Sequence, residues 1–334
     1  MFEAKSGLRK IATKITAFGL GAALVLAANL GSAATSASAA SSAPKLPATV
    51  SYLEKAFSGA DIKSRETTGF ALEAFMQVAG AGINASSLSQ DVNGFLTRPN
   101  RAIGNRTSPG YLVNPTTLAI KPGLAGKFLY ASKVLKISNF GLQNKVANLL
   151  NSQIVSRGAT AASKGNAQDM AWVALGLTSF GAVPLARQID AALIKLQHSD
   201  GGFNYDPTLS VGGTDVTAIA IQALLAVKPL NKVAADRRNK AVSAAVAFLK
   251  VSTVGGNHFE AYGDVDPNGT AYAIMGLDAA GVNVAPYLSW LRSRLQSDGG
   301  IEAPWAPGAG DRYATAQGYL PLIGENYVSL LARK

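Results

Sequence analysis

The 334-residue chain contains no cysteine. That excludes disulfide staples, thiol nucleophiles and thiolate metal sites, so stability must come from burial. Histidine is scarce as well, with only His198 and His258. An ordinary zinc centre would need both of them plus carboxylates, and no metal site is expected. Aromatic residues make up 7% of the chain and charged residues 15%. Basic side chains outnumber acidic ones by 31 to 20, a net charge of +11, yet they form no run interleaved with aromatics. Nucleic-acid binding needs that clustering, so no nucleic-acid partner is expected. Beyond the first 40 residues no apolar run approaches the roughly 20 residues that a membrane-spanning helix requires.

The N-terminus is built differently. Lys5, Arg9, Lys10 and Lys14 precede an uncharged apolar run from Ile15 to Leu30. The small-residue tract "GSAATSASAASSAP" follows, with Ala37-Ser38-Ala39 as an Ala-x-Ala cleavage pattern. Residues 1–40 therefore read as a secretory signal peptide, with a retained anchor as the alternative. The mature protein, 41–334, is expected outside the cytoplasm. Removing four basic residues and one acidic residue with the leader leaves 27 basic and 19 acidic, a net charge of +8. The scattered surplus predicts mild attraction to anionic cell-wall or membrane surfaces.

What the mature chain does have is a repeat. "LQHSDGGF" at 196–203 returns as "LQSDGGI" at 295–301, with the worn copy "FLKVSTVGGNHF" at 248–259. Each precedes a small-residue helix start: "DVTAIAIQALLAV" from Asp215, "NGTAYAIMGLDAAG" from Asn268 and "YATAQGYLPLIG" from Tyr313. Weaker copies begin at Thr67, Lys121 and Gln168. One alanine per copy (Ala71, Ala125, Ala171, Ala218, Ala271, Ala316) marks steps of 54, 46, 47, 53 and 45 residues. Self-similarity at such a period signals a repeat architecture.

Each unit reads as a helical hairpin. Leu185, Ile189, Leu193 and Leu196 fall on one stripe of an amphipathic helix. Val242, Ala245, Val246 and Leu249 repeat the stripe, as do Leu288, Leu291 and Leu295. The second helix, as in "TAIAIQALLAV", is apolar almost all round and must be buried on most sides. One-sided and all-sided helices in alternation predict an all-α fold of two layers. About six such pairs predict an α/α toroid in one domain, and an open solenoid is the competing arrangement. Between the helices, Gly201 and Gly202 supply positive φ for the turn, and Asp200 can bind local amides. The Asp-Gly-Gly motif is thus expected to serve the scaffold.

Gln197-x3-Gly201-x-Phe203 and Gln296-x2-Gly299-x-Ile301, each followed by a Thr-Ala helix, resemble the prenyltransferase and squalene-oxidase (squalene-cyclase) repeat. The motifs cover roughly residues 165–305, and the period alone extends over 48–165. The resemblance implies the α/α toroid shared by triterpene cyclases, protein prenyltransferase β subunits, thioester domains and cobalamin-binding proteins. It does not fix a function. A cyclase of this family protonates an alkene with Asp-x-Asp-Asp before Thr-Ala. Here Asp266 takes the first position before Thr270-Ala271, but Asn268 and Gly269 take the next two. One repeat earlier Asp215 stands in the donor position, with Gly213 and Val216 beside it. Neither copy of the acid motif is intact. The zinc site of a prenyltransferase and the thioester of complement-like proteins both need the missing cysteine.

The remaining candidates are polar and aromatic groups before the second helices. They are Glu66, Asp169, Asp215, Asp264, Asp266, Asn268, Asp311 and Arg312, with Tyr205, Tyr262, Tyr272, Trp305 and Tyr313. If the second helices are parallel in a ring, these gather at one mouth. Such a mouth suits a sugar, a corrinoid or a cationic group. The competing expectation is that most are helix N-caps. "DVDPNG" at 264–269 resembles the start of a calcium loop, but Met275 stands where the loop needs glutamate. A Pro-Asn-Gly turn capped by Asn268 explains it equally well. His198 and His258 are expected at surface turns, Trp172 and Trp290 in the core, and 88–122 as a long loop. The functional expectation is a non-catalytic ligand-binding or surface protein holding an apolar, lipid or corrinoid-like small molecule. The alternative is a divergent cyclase-like enzyme or an α/α-barrel hydrolase using Asp215 with Asp266.

Overall fold

All six alanines that mark the repeat are fully buried. The computed structural model describes residues 46–57, 65–80, 94, 96–105, 107, 110–114, 116–137 and 139–333. The predicted signal peptide lies outside the described residues. Those residues are mostly helical: α1 (Pro47–Ala56), α2 (Arg65–Gly80), α3 (Pro99–Ala102), α4 (Pro122–Val134), α5 (Phe140–Arg157), α6 (Ala159–Ala162) and α7 (Ala167–Phe180). They continue with α8 (Val183–Ile194), α9 (Thr214–Ala226), α10 (Lys232–Val251), α11 (Pro267–Ala279), α12 (Ala285–Ser293), α13 (Arg312–Leu322) and α14 (Tyr327–Ala332). A small antiparallel hairpin, β1 (Glu260–Ala261) with β2 (Asp264–Val265), precedes α11. No described helix is long and apolar enough to cross a membrane.

The marker alanines sit on α2, α4, α7, α9, α11 and α13. These helices pack in that order, and α13 packs in turn against α2. Small residues set the spacing. A Cβ on Gly126 of α4 would lie 2.3 Å from the carbonyl oxygen of Trp172, and one on Gly176 of α7 would lie 2.3 Å from the carbonyl oxygen of Gly126. The two backbones touch where neither carries a side chain, which is as close as helices can approach. The helices between them bury one face. Ala186, Ile189 and Leu193 of α8 are buried, as are Ala241, Ala245, Phe248 and Leu249 of α10.

The Asp-Gly-Gly turn welds successive pairs. Gly201 has φ +90°, and its missing Cβ leaves room for the carbonyl oxygen of Ala244, 2.5 Å from where that Cβ would be. Asp200 accepts from the amides of Gly202 (2.8 Å) and Gly212 (2.9 Å). Gln197 donates to the carbonyls of Gly201 and Ala241, both at 2.8 Å. Phe203 is fully buried, and its amide donates to the Thr217 hydroxyl at 2.9 Å. The second copy repeats the aspartate and threonine bonds, while Gln296 donates instead to Glu302 at 3.2 Å. Asp298 accepts from Gly300 and Gly310, and the Ile301 amide donates to Thr315. The worn copy keeps the last bond, from the Phe259 amide to Thr270. The threonine of each Thr-Ala pair is therefore a fixture of the turn.

The neighbour of the last turn is the first helix. A Cβ on Gly299 would meet the carbonyl oxygen of Ala48 at 2.5 Å, as one on Gly201 would meet Ala244. Tyr52, four residues on, covers Gly300 as Phe248 covers Gly202. Tyr52 also donates to the carbonyl of Gly310 at 2.6 Å. Thus α1 stands to the last pair as α10 stands to the pair before it.

Three expectations need correction. The 88–122 stretch is not loop throughout: it holds α3 and a bridge between Val113 and Ile120. Trp290 is only partly buried and stacks on His258 at 5.0 Å between ring centroids. His258 is accordingly no free surface histidine, because its side chain is 15% exposed beneath that indole.

Candidate functional site

Five of the six inner helices converge on one residue of α14. The Tyr327 amide donates to Gln222 of α9 at 2.9 Å, and its carbonyl accepts from Tyr130 of α4 at 2.6 Å. Its hydroxyl accepts from Gln77 of α2 at 2.9 Å. Its ring packs edge-on against Trp172 of α7 at 5.0 Å and tilted against Tyr272 of α11 at 6.3 Å. Gln77 also accepts from the amide of Leu320 on α13. Tyr327, Tyr130, Tyr272 and Trp172 are all 1% exposed or less. The space among the inner helices is therefore occupied by aromatic rings, and burial holds the three tyrosine hydroxyls well above their ordinary pKa.

Above these rings lies an ion pair. Lys127 of α4 pairs with the fully buried Glu73 of α2, which also accepts from the Tyr272 hydroxyl at 3.0 Å. The Lys127 ammonium stands 4.8 Å from the centre of the Trp172 ring. Opposite charges this deeply placed need each other, since either alone would be a costly uncompensated charge.

Towards the starts of the inner helices come three carboxylates. Asp169, one turn before Trp172, packs against Gly123, where a Cβ would lie 2.1 Å from its Oδ1. Burial pushes its pKa up to about 6, against the pull of Lys127 and the Gly123 amide. It does not cap α7, because Asn166 takes that place and accepts from the Asp169 amide at 3.0 Å. Asp215, two residues inside α9, is raised first by burial and then by the charges of Asp266 and Glu73, while the Val216 amide pulls the other way. Asp266, at the N-cap position of α11, is also raised by burial. It makes no cap hydrogen bond, although the amides of Gly269 and Asn268 lie near enough to draw its pKa down. All three are part-exposed. Asn268 is not the cap of α11 that its turn chemistry suggested. Its amide donates to Gln317 of α13 at 2.7 Å, and its own oxygen is buried with no donor.

The predicted site residues thus divide. Asp169, Asp215, Asp266 and Asn268 stand at the starts of α7, α9 and α11, with Lys127 close to Asp169 and Glu73 close to Asp215. Tyr272 belongs to the floor rather than the wall, being 1% exposed. Tyr205 hydrogen-bonds to Tyr262 and feels the charge of Asp215, so this tyrosine pair stands beside the mouth. Tyr262 is fully exposed at the tip of the β1–β2 hairpin with φ +56°, an expensive conformation for an aromatic residue. Asp264, on the same hairpin, is exposed. Tyr313 packs tilted against Phe70 of α2 at 4.6 Å between ring centroids, and Arg312 lies over the Tyr313 ring at 4.8 Å. Asp311 is a true helix cap: it accepts from the Tyr313 and Ala314 amides, and Trp305 donates to its other oxygen at 3.0 Å. Nothing describes Glu66 beyond its place in α2. Among the described residues no three His, Asp or Glu side chains cluster so as to hold a metal ion. His198 lines a separate cleft of about 210 Å³ with Lys195, Gln197 and Asn204.

Sequence reasoning missed Glu73, Lys127 and Tyr327. A glutamate or lysine inside a nearly apolar helix was the available signal for the first two. For Tyr327 there was none.

No protein-family model matches the chain, and no curated protein matches it.

Proposed function

We propose that the mature chain is an extracytoplasmic α/α toroid, related to the squalene-cyclase repeat, that binds a small molecule at the acidic mouth without transforming it. The cyclic order of inner-helix contacts and the place of α1 beside the last turn support the toroid over an open solenoid. The observation that carries the function is the contrast in the mouth. Asp169, Asp215 and Asp266 bear desolvated charge that no cap bond or adjacent cation offsets in full. Uncompensated charge costs stability, and a ligand that offsets it is a reason for keeping it. The rings around Tyr327 leave a long isoprenoid no path between the inner helices, which favours a ligand seated on the mouth. Mass spectrometry of material copurifying with the mature protein tests this reading. A stoichiometric ligand that is lost in the Asp215→Asn/Asp266→Asn double variant supports it. A clean apo mass from several preparations, with no ligand recovered by wild type, overturns it.

A second reading rests on the mutual influence of Asp215 and Asp266. Each raised carboxyl disfavours ionisation of the other, so one can hold a proton while its neighbour is ionised. That division suits acid–base hydrolysis. Turnover of any glycoside or isoprenoid that vanishes in the double variant, with the fold retained, would establish it over simple binding.

A further inference from the structure

We infer, independently of the ligand reading above, that the loop between α9 and α10 docks on an anionic lipid surface. It reads Lys228-Pro229-Leu230-Asn231, and α10 opens with Lys232-Val233. α9 stops at Ala226, and Pro229 cannot continue it. Asn231 caps α10 by accepting from the Ala234 amide at 3.0 Å. Two arginines pin the loop from either side. Arg187 of α8 donates to the Lys228 carbonyl at 2.8 Å, and Arg238 of α10 donates to the Val227 carbonyl at 3.4 Å. These bonds gather five basic residues, Arg187, Lys228, Lys232, Arg237 and Arg238, on the loop and the helix turns beside it. Two acids stand among them: Asp236 pairs with Lys232, and Asp190 feels the charge of Arg238. Five against two leaves the patch positive.

Two apolar side chains stand out from this basic ground. Leu230 is 71% exposed and Val233 66%. One exposed leucine is ordinary on any surface. Two apolar residues within four positions, on a pinned loop and flanked by Lys228 and Lys232, combine the two attractions that hold a protein at a membrane interface: apolar burial and charge. A soluble polyanion would answer the cations and leave Leu230 and Val233 in water. A second copy of the chain would cover them but bring like charges face to face. An anionic lipid surface meets both needs, with phosphates for the cations and an apolar layer for the two side chains. No described helix can span the bilayer, so the contact is peripheral. α9 begins after a turn carrying Asp200 and Asp206 and ends in this loop. Docking by the basic end therefore leaves the start of α9, with Asp215, turned away from the lipid.

Co-sedimentation of the mature protein with phosphatidylglycerol/phosphatidylcholine vesicles at near-physiological salt tests the inference. Pure phosphatidylcholine vesicles and soluble polyphosphate are the controls. Saturable binding to the anionic vesicles is expected, at least about tenfold tighter than to the neutral ones. Leu230→Ser/Val233→Ser should weaken it by about tenfold, and so should Lys228→Gln/Arg237→Gln. Lys195→Gln/Lys250→Gln removes the same charge at the far ends of α8 and α10 and should change it by less than about twofold. All six side chains are exposed, so the fold is retained in each variant, which thermal melts verify. Absence of binding to anionic vesicles overturns the inference, as does equal binding to neutral ones. Equal weakening by the Lys195/Lys250 pair would reduce the effect to net charge and refute the patch. Polyphosphate bound as tightly as the vesicles, with no effect of the serine pair, would refute the lipid in favour of a polyanion. A concentration-dependent dimer abolished by the serine pair would refute it in favour of a second copy.

Discussion

At the centre of the helices, every hydrogen-bonding group of Tyr327 has a partner on a different inner helix. A few residues away, at the helix starts, burial raises the pKa of Asp169, Asp215 and Asp266, and neighbouring amides, with Lys127 for Asp169, offset it only in part. The two regions share the same helices but not the same burial: the centre is closed to solvent, whereas the three carboxylates are part-exposed. The centre is arranged so that removing any group leaves another unpaired. The mouth is arranged so that adding something would satisfy it. The centre is cross-linked even though the Trp172 indole N–H and the Gln222 amide nitrogen are buried without a partner, so the desolvated charge at the helix starts, rather than a lone unmet donor, marks the place to look for a ligand.

The sharpest way to break the comparison is at Tyr327. Tyr327→Ala should cost about 3–5 kcal/mol, from the cavity and from the orphaned Gln77 amide, while Gln222 and Tyr130 keep their bonds to the backbone of residue 327. Calorimetric unfolding measures it, and a loss below about 1 kcal/mol would mean that α14 is only loosely seated. Next comes the boundary between the regions. Lys127→Met should cost about 3 kcal/mol near neutral pH, because Glu73 is left buried and unpaired. A denaturant series at neutral pH measures it, and an unchanged midpoint would show that the pair contributes nothing.

The mouth should respond in the opposite direction. Asp169 has a folded pKa near 6 against 3.8 for the free side chain. Below pH 4 it is protonated in both states and costs nothing. Between 4 and 6 the folded protein binds the extra proton, so stability falls as pH rises, and above 6 the penalty is constant. Asp169→Asn should therefore stabilise the protein by about 2 kcal/mol at pH 7.5 and leave it unchanged at pH 3.5. Denaturant midpoints at the two pH values decide the matter, and a loss of stability at pH 7.5 would show that Asp169 is a satisfied structural group. The smallest contrast lies between two aspartates read alike in the sequence. Asp311→Ala should cost about 1 kcal/mol, the value of a helix cap, whereas Asp215→Asn should cost nothing or stabilise. Equal losses in the two thermal melts would erase the distinction between cap and site.

Much of this was open to sequence reasoning because it is local. The apolar stripe of Ile189 and Leu193 is a matter of spacing, and the turn at Gly201 needs a residue that tolerates φ +90°. The repeat placed Asp169, Asp215 and Asp266 near the starts of successive helices, though two, three and five residues before their marker alanines Ala171, Ala218 and Ala271. Their roles did not follow. Asp169 and Asp311 both stand near a helix start, but Asn166 had already taken the cap of α7 while nothing else could cap α13. Asn268 looked like a cap and proved to be a cross-link to Gln317, 49 residues away. Which of several polar groups wins a set of amides depends on angles that spacing does not carry.

The sequence by itself determined the helices, the turns between them and the absence of cysteine chemistry, because each depends on residue identity or on residues within one or two turns of one another. Only the tertiary structure decided what fills the centre and which acids remain unanswered. Tyr327 meets Gln77 across 250 residues, and Tyr272 meets Glu73 across 199. No periodicity links such pairs. They are neighbours because the helices of the repeat pack one against the next, and the last against the first.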